Sequence, residues 1–496
     1  MKEAFIKHIC ISKLAICLLA LMTLVSCKEA EDKKYNVLMI CVDDLRPALG
    51  CYGDEVAKSP NIDEFASNAC LFNNHYVQSA VCGPSRSMLL TGKITRSWDA
   101  WSQLRNLENE PDEPVSLPHL FKKNGYKTVC IGKVSHEPGG VMDKDQTIPQ
   151  IPFSWDTTYT KVGKWSTPWR AFFAYANGDS HNKFRGKQFP EYNKPHLPYE
   201  CGDVDDVGYP DGLNAREAMK QVKRLGDENM PFFLAVGFYK PHLPFNAPKK
   251  YCQLYEKEEI PRAPNNYPPK NTNEKYALHN SFEVTTHYHW PDGEGNINAD
   301  KARELKHHYL ACVSYIDRQI GLILDELKRQ KLDQNTIVLL WGDHGWHLEE
   351  HGIFGKHTNF NIATRSPLIV KVPGITEGGK RTNGIVETID IYPTLAALCE
   401  LEAPSDLQGS SFVELIKQPE TTGKPYARSF FSRHQAMGKT IKTDRYRVVQ
   451  WKEKDSTVAV ELYDHRHDPN ENINIARKDP VLTDSLLTIL HEPVFF

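Results

Sequence analysis

Four apolar runs of strand length occur along this 496-residue chain. They are residues 35–42, 128–131, 231–239 and 336–341. Apolar runs without polar alternation are typical of strands buried on both faces of a parallel sheet. Helical segments lie between them, the clearest from residue 299 to about 330, where the apolar residues share one face. This order predicts an α/β domain with a mainly parallel central sheet flanked by helices.

The residues that follow these runs are candidates for a functional site. They are Asp43, Lys133, His242 and Asp343. Since ligands bind at the carboxyl ends of parallel strands, we expect these side chains to converge. Oxygen ligands suit Ca²⁺ or Mg²⁺, so Asp43 and Asp44 together with Asp343 and His344 predict one shared cation site. A solvated loop or a helix cap is the alternative for Asp43 and Asp44.

The net charge of the chain is −3, with 40% hydrophobic and 25% charged residues. This composition is ordinary for a globular protein and gives no reason to expect nucleic-acid binding. An anionic substrate would therefore need a local cluster of positive charge. Two segments rich in Pro, Asn, Tyr and Trp, residues 140–215 and 249–298, are predicted to be long surface insertions that shape a substrate pocket.

The character of the chain changes after about residue 420. Segments at 429–432, 438–451 and 457–463 resemble short antiparallel strands, and residues 479–490 resemble a closing helix capped by Asp479. We predict a main catalytic domain over residues 35–420 and a small C-terminal α+β subdomain with antiparallel strands over residues 421–496.

Residues 1–27 are predicted to be a lipoprotein signal peptide. Three lysines precede the apolar run 14–25, which is too short to span a bilayer. The run ends in Leu24-Val25-Ser26-Cys27, which resembles a bacterial lipobox and implies lipidation of Cys27; cleavage without lipidation is the alternative. Residues 28–34 form a charged tether. We expect an exported bacterial lipoprotein, periplasmic or at the cell surface, that meets the membrane only through its lipid anchor.

Nine cysteines lie outside the predicted signal peptide. Their scattered spacing, without a Cys-x-x-Cys pair, argues against zinc-ribbon and thioredoxin-like sites. An exported protein can form disulfides, but the spacing assigns no pair.

The segment Cys82-Gly83-Pro84-Ser85-Arg86 constrains the chemistry most. Pro84 suits the first turn of a helix, and residues 88–90 supply its apolar face. Cys82 would then lie at the helix N-terminus, where backbone N–H groups and the helix dipole favour an anion. A buried cysteine beside a turn proline is the plain structural alternative.

This Cys-x-Pro-Ser-Arg pattern, followed by Leu90-Thr91-Gly92, resembles the signature of the type I, formylglycine-dependent sulfatases. The resemblance implies an alkaline-phosphatase/sulfatase-like fold and a sulfuric ester hydrolase. It implies that a maturation enzyme oxidises Cys82 to formylglycine, an aldehyde whose hydrate is the nucleophile. It also implies Ca²⁺ held by residue 82 with Asp43, Asp44, Asp343 and His344.

Two further segments resemble the same family. In Gly132-Lys133-Val134-Ser135-His136, Lys133 would contact the sulfate, and His136 would hold the formylglycine hydroxyl and act as a base. Lys356 would be a second sulfate-binding lysine, and Arg86 would help to neutralise the sulfate.

The sequence Lys-Pro-His-Leu-Pro occurs twice, at residues 194–198 and 240–244. Only the second copy follows a predicted buried strand. We therefore predict that His242, rather than His196, belongs to the site; the resemblance implies that it donates the proton to the leaving sugar alcohol.

The run from Asp343-His344-Gly345-Trp346 through Lys356 resembles the iduronate-2-sulfatases. This implies a uronate 2-O-sulfate on a sulfated oligosaccharide or polysaccharide. A basic residue should meet the uronate carboxylate; Lys442 and Arg445 are candidates, with a solvated strand edge as the alternative. Trp346 is predicted to stack against a sugar face. The nearby histidines support the site or are exposed: His347, His351 and His357.

Two other functions stay open at this point. A phosphonate or phosphate ester hydrolase of the same superfamily could share the fold, the metal and formylglycine. A non-catalytic glycan-binding lipoprotein, in which Cys82 is never oxidised, is the second.

Overall fold

The four apolar runs become neighbouring strands of one sheet in the computed structural model, which describes residues 34–95, 116–141, 150–181, 195–228, 230–293 and 296–491. The strands are β1 (Asn36–Val42), β2 (Cys70–Tyr76), β3 (Lys127–Gly132), β4 (Thr157–Tyr159), β5 (Tyr199–Gly202), β6 (Phe232–Phe238), β7 (Phe245–Pro248), β8 (Thr336–Gly342), β9 (His347–Leu348), β10 (Phe354–Gly355), β11 (Leu368–Lys371), β12 (Lys380–Glu387), β13 (Tyr426–Arg433), β14 (Ala436–Thr443), β15 (Tyr446–Glu453) and β16 (Ser456–Asp464). The central sheet has the order β12-β2-β11-β8-β1-β6-β3-β4. Strand β11 is antiparallel to both neighbours, whereas the other pairs are parallel.

Helices cover this sheet. They are α1 (Pro60–Ala66), α2 (Cys82–Thr91), α3 (Leu117–Lys123), α4 (Pro168–Phe172), α5 (Pro210–Asp227), α6 (Lys249–Cys252), α7 (Glu274–Ala277), α8 (Phe282–Thr286), α9 (Ala299–Arg329), α10 (Asn361–Thr364), α11 (Ile391–Leu398), α12 (Val413–Lys417) and α13 (Pro480–Leu490). Every residue of β1 is buried, and alternate residues such as Leu38 and Ile40 share one apolar cluster with residues of α5 and α9. Burial on both faces explains why β1, β6 and β8 lack polar alternation.

The prediction of surface insertions is partly wrong. Residues 210–215, the end of the first predicted insertion, form the start of helix α5, whose apolar side packs in the main core. In the same segment Trp165, Trp169 and Phe172 are almost fully buried rather than at the surface. Cys201 and Cys252, one from each segment, form a disulfide that the cysteine spacing did not reveal.

The C-terminal part holds the expected antiparallel sheet, in the order β13-β14-β15-β16. The predicted segment 438–451 is two strands, because the chain turns between Thr443 and Tyr446. Helix α13 begins at Pro480 with Asp479 as its cap, and its Leu486 and Leu490 pack on this sheet. The boundary at residue 420 remains a prediction.

A buried ion pair ties this sheet to the loop that carries α10. Glu471 accepts from Arg447 and His465 and from the backbone N–H of Asn361 at 2.9 Å. Burial acts to raise the pKa of Glu471, but Arg447 and His465 hold it well below its ordinary value. The ionised carboxylate therefore stabilises the fold above the ordinary glutamate pKa, and this contribution is lost as the pH falls towards the lowered one.

Replacing Glu471 with glutamine is expected to lower the free energy of unfolding at pH 7 by about 3 kcal/mol, because Arg447 would stay buried without its carboxylate. The difference between the two proteins should shrink as the pH falls below about 4.3. Urea unfolding at several pH values measures it. Glu414→Gln, which breaks an exposed pair with Lys417, is the control and should change stability by less than about 0.5 kcal/mol. A difference that does not depend on pH would contradict this account.

The predicted signal peptide, the lipidation site Cys27, tether residues 28–33 and Lys194 lie outside the described residues. Within the described part of the chain, no helix has the length and apolar character needed to cross a membrane.

Candidate active site

Cys82 is the first residue of helix α2, as the sequence predicted, with Pro84 in the first turn. Every residue of this helix is buried, and the Cys82 side chain is at the carboxyl edge of the central sheet, beside residues that follow β1 and β8. Its thiol therefore lies where the helix N-terminus favours an anion.

Three carboxylates meet beside this helix, from the loops after β1 and β8. The backbone N–H of Asp44 donates to Asp343 Oδ1 at 2.9 Å. Asp44 has a φ of 58°, a left-handed conformation that aspartate tolerates better than most residues. Oxygens of Asp43, Asp44 and Asp343 lie within 4.8 Å of one another, and the three side chains are fully buried.

Arg86 holds two of these carboxylates in place. Its Nη2 lies 3.1 Å from Asp43 Oδ1 and 2.9 Å from Asp343 Oδ2, and its Nε donates to Asp343 Oδ2 at 3.0 Å. Its Nη1 donates to the backbone carbonyls of Lys133 and Val134. Because Arg86 is fully buried and its donors are used within the protein, it positions the carboxylates rather than reaching a substrate. Its predicted part in neutralising a sulfate would therefore be indirect, through the carboxylates that it holds.

Two lysines bring positive charge to the cluster. Lys133 Nζ lies 2.6 Å from Asp43 Oδ2, and Lys356 Nζ lies 2.8 Å from Asp44 Oδ1 and 3.2 Å from Cys82 Sγ. Burial acts to lower the pKa of Lys356, but Asp44 and its other acidic neighbours hold it well above its ordinary value. Burial acts to raise the pKa of Asp43, but Lys133 and Arg86 hold it well below its ordinary value. Lys356 is thus held beside the Cys82 sulfur as a cation, and Lys133 is paired with Asp43 in the same cluster.

His344 completes the set of possible metal ligands. Its Nδ1 donates to the carbonyl of Gly345 at 3.0 Å, which leaves the lone pair on Nε2. That Nε2 lies 3.3 Å from Cys82 Sγ and 3.3 Å from Asp44 Oδ1. A backbone partner on one ring nitrogen is the usual way in which proteins orient the other towards a metal.

The donor set fits a hard divalent cation. Asp43, Asp44 and Asp343 each place one oxygen within 4.8 Å of the others, Asp44 groups in the same way with Cys82 and His344, and Ca²⁺ prefers oxygen ligands. Zinc would favour more histidine and cysteine. The three cations Arg86, Lys133 and Lys356 balance the three carboxylates, so a bound divalent cation would leave the cluster positive and suited to an anionic ester.

His242 approaches the cluster from the loop after β6. Its Nδ1 donates to the carbonyl of Leu243 at 2.6 Å, and its Nε2 lies 3.9 Å from Asp44 Oδ2. Burial, followed by the charge of Lys356, lowers the pKa of His242 well below its ordinary value. The alternative copy of the motif lies elsewhere, since His196 stacks on Tyr175 and lies 3.5 Å from Asp179.

Two residues that the sequence analysis passed over fix the His242 loop. Lys240 is buried and its Nζ donates to the carbonyls of His242 and Pro244, at 2.9 and 2.6 Å. Asp211, at the start of α5, accepts from the backbone N–H groups of Tyr239 and Lys240. Lys240 could have been identified from the sequence, because it is the first residue of the Lys-Pro-His-Leu-Pro motif.

An aromatic wall from α4 closes one side. The Phe172 ring is centred 4.5 Å from the His242 ring and 4.1 Å from Lys133 Nζ. His136 packs edge-to-face on Trp169, with ring centres 5.7 Å apart, and Trp169 in turn contacts Phe172. His136 therefore belongs to the same wall as His242. Nothing in the sequence singled out these aromatic residues, although the segment was expected to shape the pocket.

Trp346 is not placed for its predicted role. Its side chain is fully buried, packs edge-to-face on Phe245, and lies under Lys356 Nζ at 5.1 Å. No ring face is open to a sugar, so the predicted stacking does not fit. The neighbouring histidines are also internal: His347 bonds to Glu350 and Thr358, and His351 to the carbonyl of Asn470.

Lys442 and Arg445 also lie apart from the cluster. Lys442 Nζ turns back onto the carbonyls of Thr443 and Asp444, and burial lowers its pKa to about 8. It lines a separate cavity of about 420 Å³, together with Tyr76 and residues of the C-terminal part. Arg445 makes a bidentate pair with Asp464.

Glu283 is a member of the site that sequence reasoning missed. It lies in α8, with Oε1 3.8 Å from Lys356 Nζ and Oε2 3.7 Å from His357 Nδ1. Burial raises the pKa of Glu283 above its ordinary value. A lone glutamate in a segment predicted to be an insertion gave no signal.

Comparison with known proteins adds a family to this geometry. The family model described as Sulfatase matches residues 35–401, and the model described as N-sulphoglucosamine sulphohydrolase, C-terminal, matches residues 349–492. Iduronate 2-sulfatase of Mus musculus is 34% identical over 422 residues, which cover 78% of this chain and 73% of the mouse protein.

Two solved structures share the fold. One, in complex with its substrate D-glucosamine-2-N,6-O-disulfate, has a TM-score of 0.68 at 21% identity and covers 93% of this chain and 97% of its own. Phosphonate monoester hydrolase of Agrobacterium radiobacter has a TM-score of 0.69 at 20% identity, covering 93% of this chain and 96% of its own. The predicted fold class is confirmed.

Proposed function

Because this chain belongs to the sulfatase family, we propose that it removes a 2-O-sulfate from a uronate sugar, using a formylglycine made from Cys82 and Ca²⁺. As a sulfatase it is a sulfuric ester hydrolase. The observation that carries the finer proposal is the meeting of Cys82 with three carboxylates and two lysines in one buried cluster. The name of the mouse relative supports the choice of a 2-O-sulfated uronate.

The ligands we assign to Ca²⁺ are residue 82, Asp43, Asp44, Asp343 and His344, because their donor atoms already lie close together. When present, the cation would supply a neutralising charge, and formylglycine would supply a hydrated aldehyde with one hydroxyl that is nucleophilic and a second that can lose its proton. A maturation enzyme that recognises the Cys82 segment would make the formylglycine.

Lys133 and Lys356 bind the sulfate oxygens in this proposal. Both are at most 2% exposed and are held rigidly by Asp43 and Asp44, so their charges need no rearrangement during the reaction. Preorganised charge of this kind stabilises the charge that develops as sulfur is attacked. Arg86 acts indirectly, by fixing Asp43 and Asp343.

His242 in its protonated form delivers a proton from Nε2 to the sugar oxygen as its bond to sulfur breaks. Its Nδ1 is occupied by the carbonyl of Leu243, so Nε2 is the nitrogen that can reach a substrate. His136 holds a hydroxyl of residue 82 and takes its proton when sulfate leaves. Overall, water and a sugar sulfate ester give the sugar alcohol, sulfate and a proton.

Replacing His242 with alanine is expected to lower kcat/KM for a sugar sulfate by about 10²–10³-fold, within the usual contribution of a general acid. For 4-nitrophenyl sulfate the loss should be less than about tenfold, because nitrophenolate leaves without a proton. Steady-state kinetics on both esters measure the contrast. His196→Ala, in the other copy of the motif, is the matched control and should leave both rates unchanged. Equal losses on both esters would argue against a general acid.

A phosphonate monoester hydrolase is the second candidate function, because one solved structure of that activity shares the fold. Parallel kcat/KM values for aryl sulfate, aryl phosphate and phosphonate monoesters separate the two. We expect the sulfate to be preferred. A preference for phosphonate or phosphate by orders of magnitude would overturn the sulfate proposal.

The state of residue 82 is tested separately, by peptide mass analysis of the protein from its native host. We expect the mass of formylglycine in the segment that contains Cys82. An unmodified thiol throughout, with no turnover of any ester, would instead favour a glycan-binding protein.

We further propose that Cys27 carries a lipid anchor and that the enzyme works outside the cytoplasm on sulfated saccharides. The lipobox-like Leu24-Val25-Ser26-Cys27 supports this. Metabolic labelling with a palmitate analogue, compared between the native chain and Cys27→Ala, is the test; equal labelling of both would refute it.

A further inference from the structure

A cleft of about 580 Å³ lies next to the charged cluster around Cys82, on the side of Lys356. Basic residues outnumber acidic ones in its lining, which includes Lys275, His279, Arg433 and His434 beside one carboxylate, Glu274. Two contacts join it to the cluster: His279 Nε2 donates to the carbonyl of Lys356 at 3.3 Å, and Arg433 Nη2 donates to the carbonyl of His357. Only the backbone of Lys356 and His357 therefore lies between these cleft residues and the side chain of Lys356.

Arg433 is the unusual member of this cleft. It is the last residue of β13, and its Nε donates to the carbonyl of Tyr276 at 2.8 Å. Among the described residues it makes no ion pair within 4.0 Å and no hydrogen bond from Nη1, and Glu461 acts on it only through longer-range charge. Two other arginines of the same small sheet each pair with a carboxylate: Arg428 with Glu387, and Arg447 with Glu471.

A half-buried guanidinium without a directly paired carboxylate is costly, and natural proteins seldom keep one without a use. Burial lowers the pKa of Arg433 to about 10, which still leaves it charged at neutral pH. The cost is recovered when an anion enters the cleft. A planar guanidinium fits a carboxylate through two parallel hydrogen bonds.

We propose that Arg433 binds the carboxylate of the uronate ring whose 2-O-sulfate is removed. This inference rests on the proposed uronate substrate and assigns to Arg433 the role predicted for Lys442. Lys442 turns onto backbone carbonyls and lines a different cavity, whereas Arg433 borders the cleft beside Lys356. Arg433 would thus determine specificity, since it holds a group of the substrate that takes no part in bond breaking.

The test compares two disaccharides, one with a 2-O-sulfated uronate and one in which the same carboxyl is reduced to a hydroxymethyl. Arg433→Gln should lower kcat/KM on the uronate by about 30-fold and change it by less than about threefold on the reduced sugar. The kcat/KM of Arg433→Lys on the uronate should lie between those of the unchanged protein and Arg433→Gln, because lysine keeps the charge but cannot form two parallel hydrogen bonds. Lys442→Gln is the matched control and should leave the ratio of the two substrates unchanged.

Equal losses on both substrates would show that Arg433 only supports the fold, through Tyr276 and His357, and would overturn the inference. A binding experiment distinguishes failure of this inference from failure of the proposed function. In a Cys82→Ala chain, calorimetry should show tighter binding of the uronate disaccharide than of the reduced one, and Arg433→Gln should remove that difference. Equal binding of both would overturn the role of Arg433 even if aryl sulfates are cleaved. The proposed function fails instead if no sulfate ester is cleaved.

Discussion

Cys82→Ala is expected to lower turnover of any sulfate ester by about 10⁴-fold or more, the order lost when a covalent nucleophile is removed. The change removes only a sulfur from a side chain that is 4% exposed. Lys356 keeps Asp44 as its partner at 2.8 Å, so no buried charge loses its counter-charge. The fold should therefore survive, and kcat should fall without a matching loss of substrate affinity.

The control for this variant is Cys70→Ala, another fully buried cysteine, in strand β2 and outside the cluster. It removes the same atom and should keep full activity. Thermal unfolding and near-UV circular dichroism of both variants establish that each is folded. A Cys82→Ala enzyme with substantial turnover would show that residue 82 is not the nucleophile, whatever modification it carries.

The convergence of the strand-end residues could be predicted because it follows from topology. Buried apolar strands in a parallel sheet present their carboxyl ends at one edge, so residues hundreds of positions apart meet there. Asp43, Lys133 and Asp343 follow β1, β3 and β8 directly, and all three lie in the cluster. The same reasoning separated His242 from His196.

Side-chain direction and burial could not be predicted in this way. Trp346 and Lys442 belong to motifs or strands that the sequence identifies. Yet the Trp346 side chain is fully buried in the core, and the Lys442 side chain bonds to the backbone of the turn that follows it. The motif likewise predicts that Arg86 belongs to the site, but its role depends on the carboxylates that its guanidinium contacts. These outcomes depend on packing against elements far away in the chain.

Residues from the irregular segments were the least predictable. Phe172 and Glu283 carry no motif, and they reach the site because α4 and α8 pack there. Such segments lack the periodicity that locates strands and helices, so their composition indicated only that they shape a pocket. Arg433 is similar, since only the structure shows that it makes no ion pair with any described residue.

Replacing Arg86 with methionine is expected to lower the free energy of unfolding by about 3–5 kcal/mol in the absence of divalent cations, because it removes one partner of a fully buried charge cluster. Methionine keeps much of the volume, so the loss reflects charge rather than a cavity. Asp43 would keep only Lys133, and Asp343 would lose both of its contacts with the guanidinium. Urea unfolding in EDTA, followed by tryptophan fluorescence, measures the change.

Calcium distinguishes this account from general damage to the core. If the carboxylates hold the cation, Ca²⁺ at about 100 times its Kd should stabilise the unchanged protein by about 2.7 kcal/mol. In Arg86→Met the cation compensates negative charge that the arginine no longer balances, so part of the loss should be restored. Arg445→Met, which breaks a partly exposed pair with Asp464, should cost less than about 1 kcal/mol and show no dependence on calcium. A loss in Arg86→Met that is equally large with and without Ca²⁺ would mean that Arg86 does not act through its charge beside the cation. If Ca²⁺ does not stabilise the unchanged protein, the three carboxylates do not form a cation site.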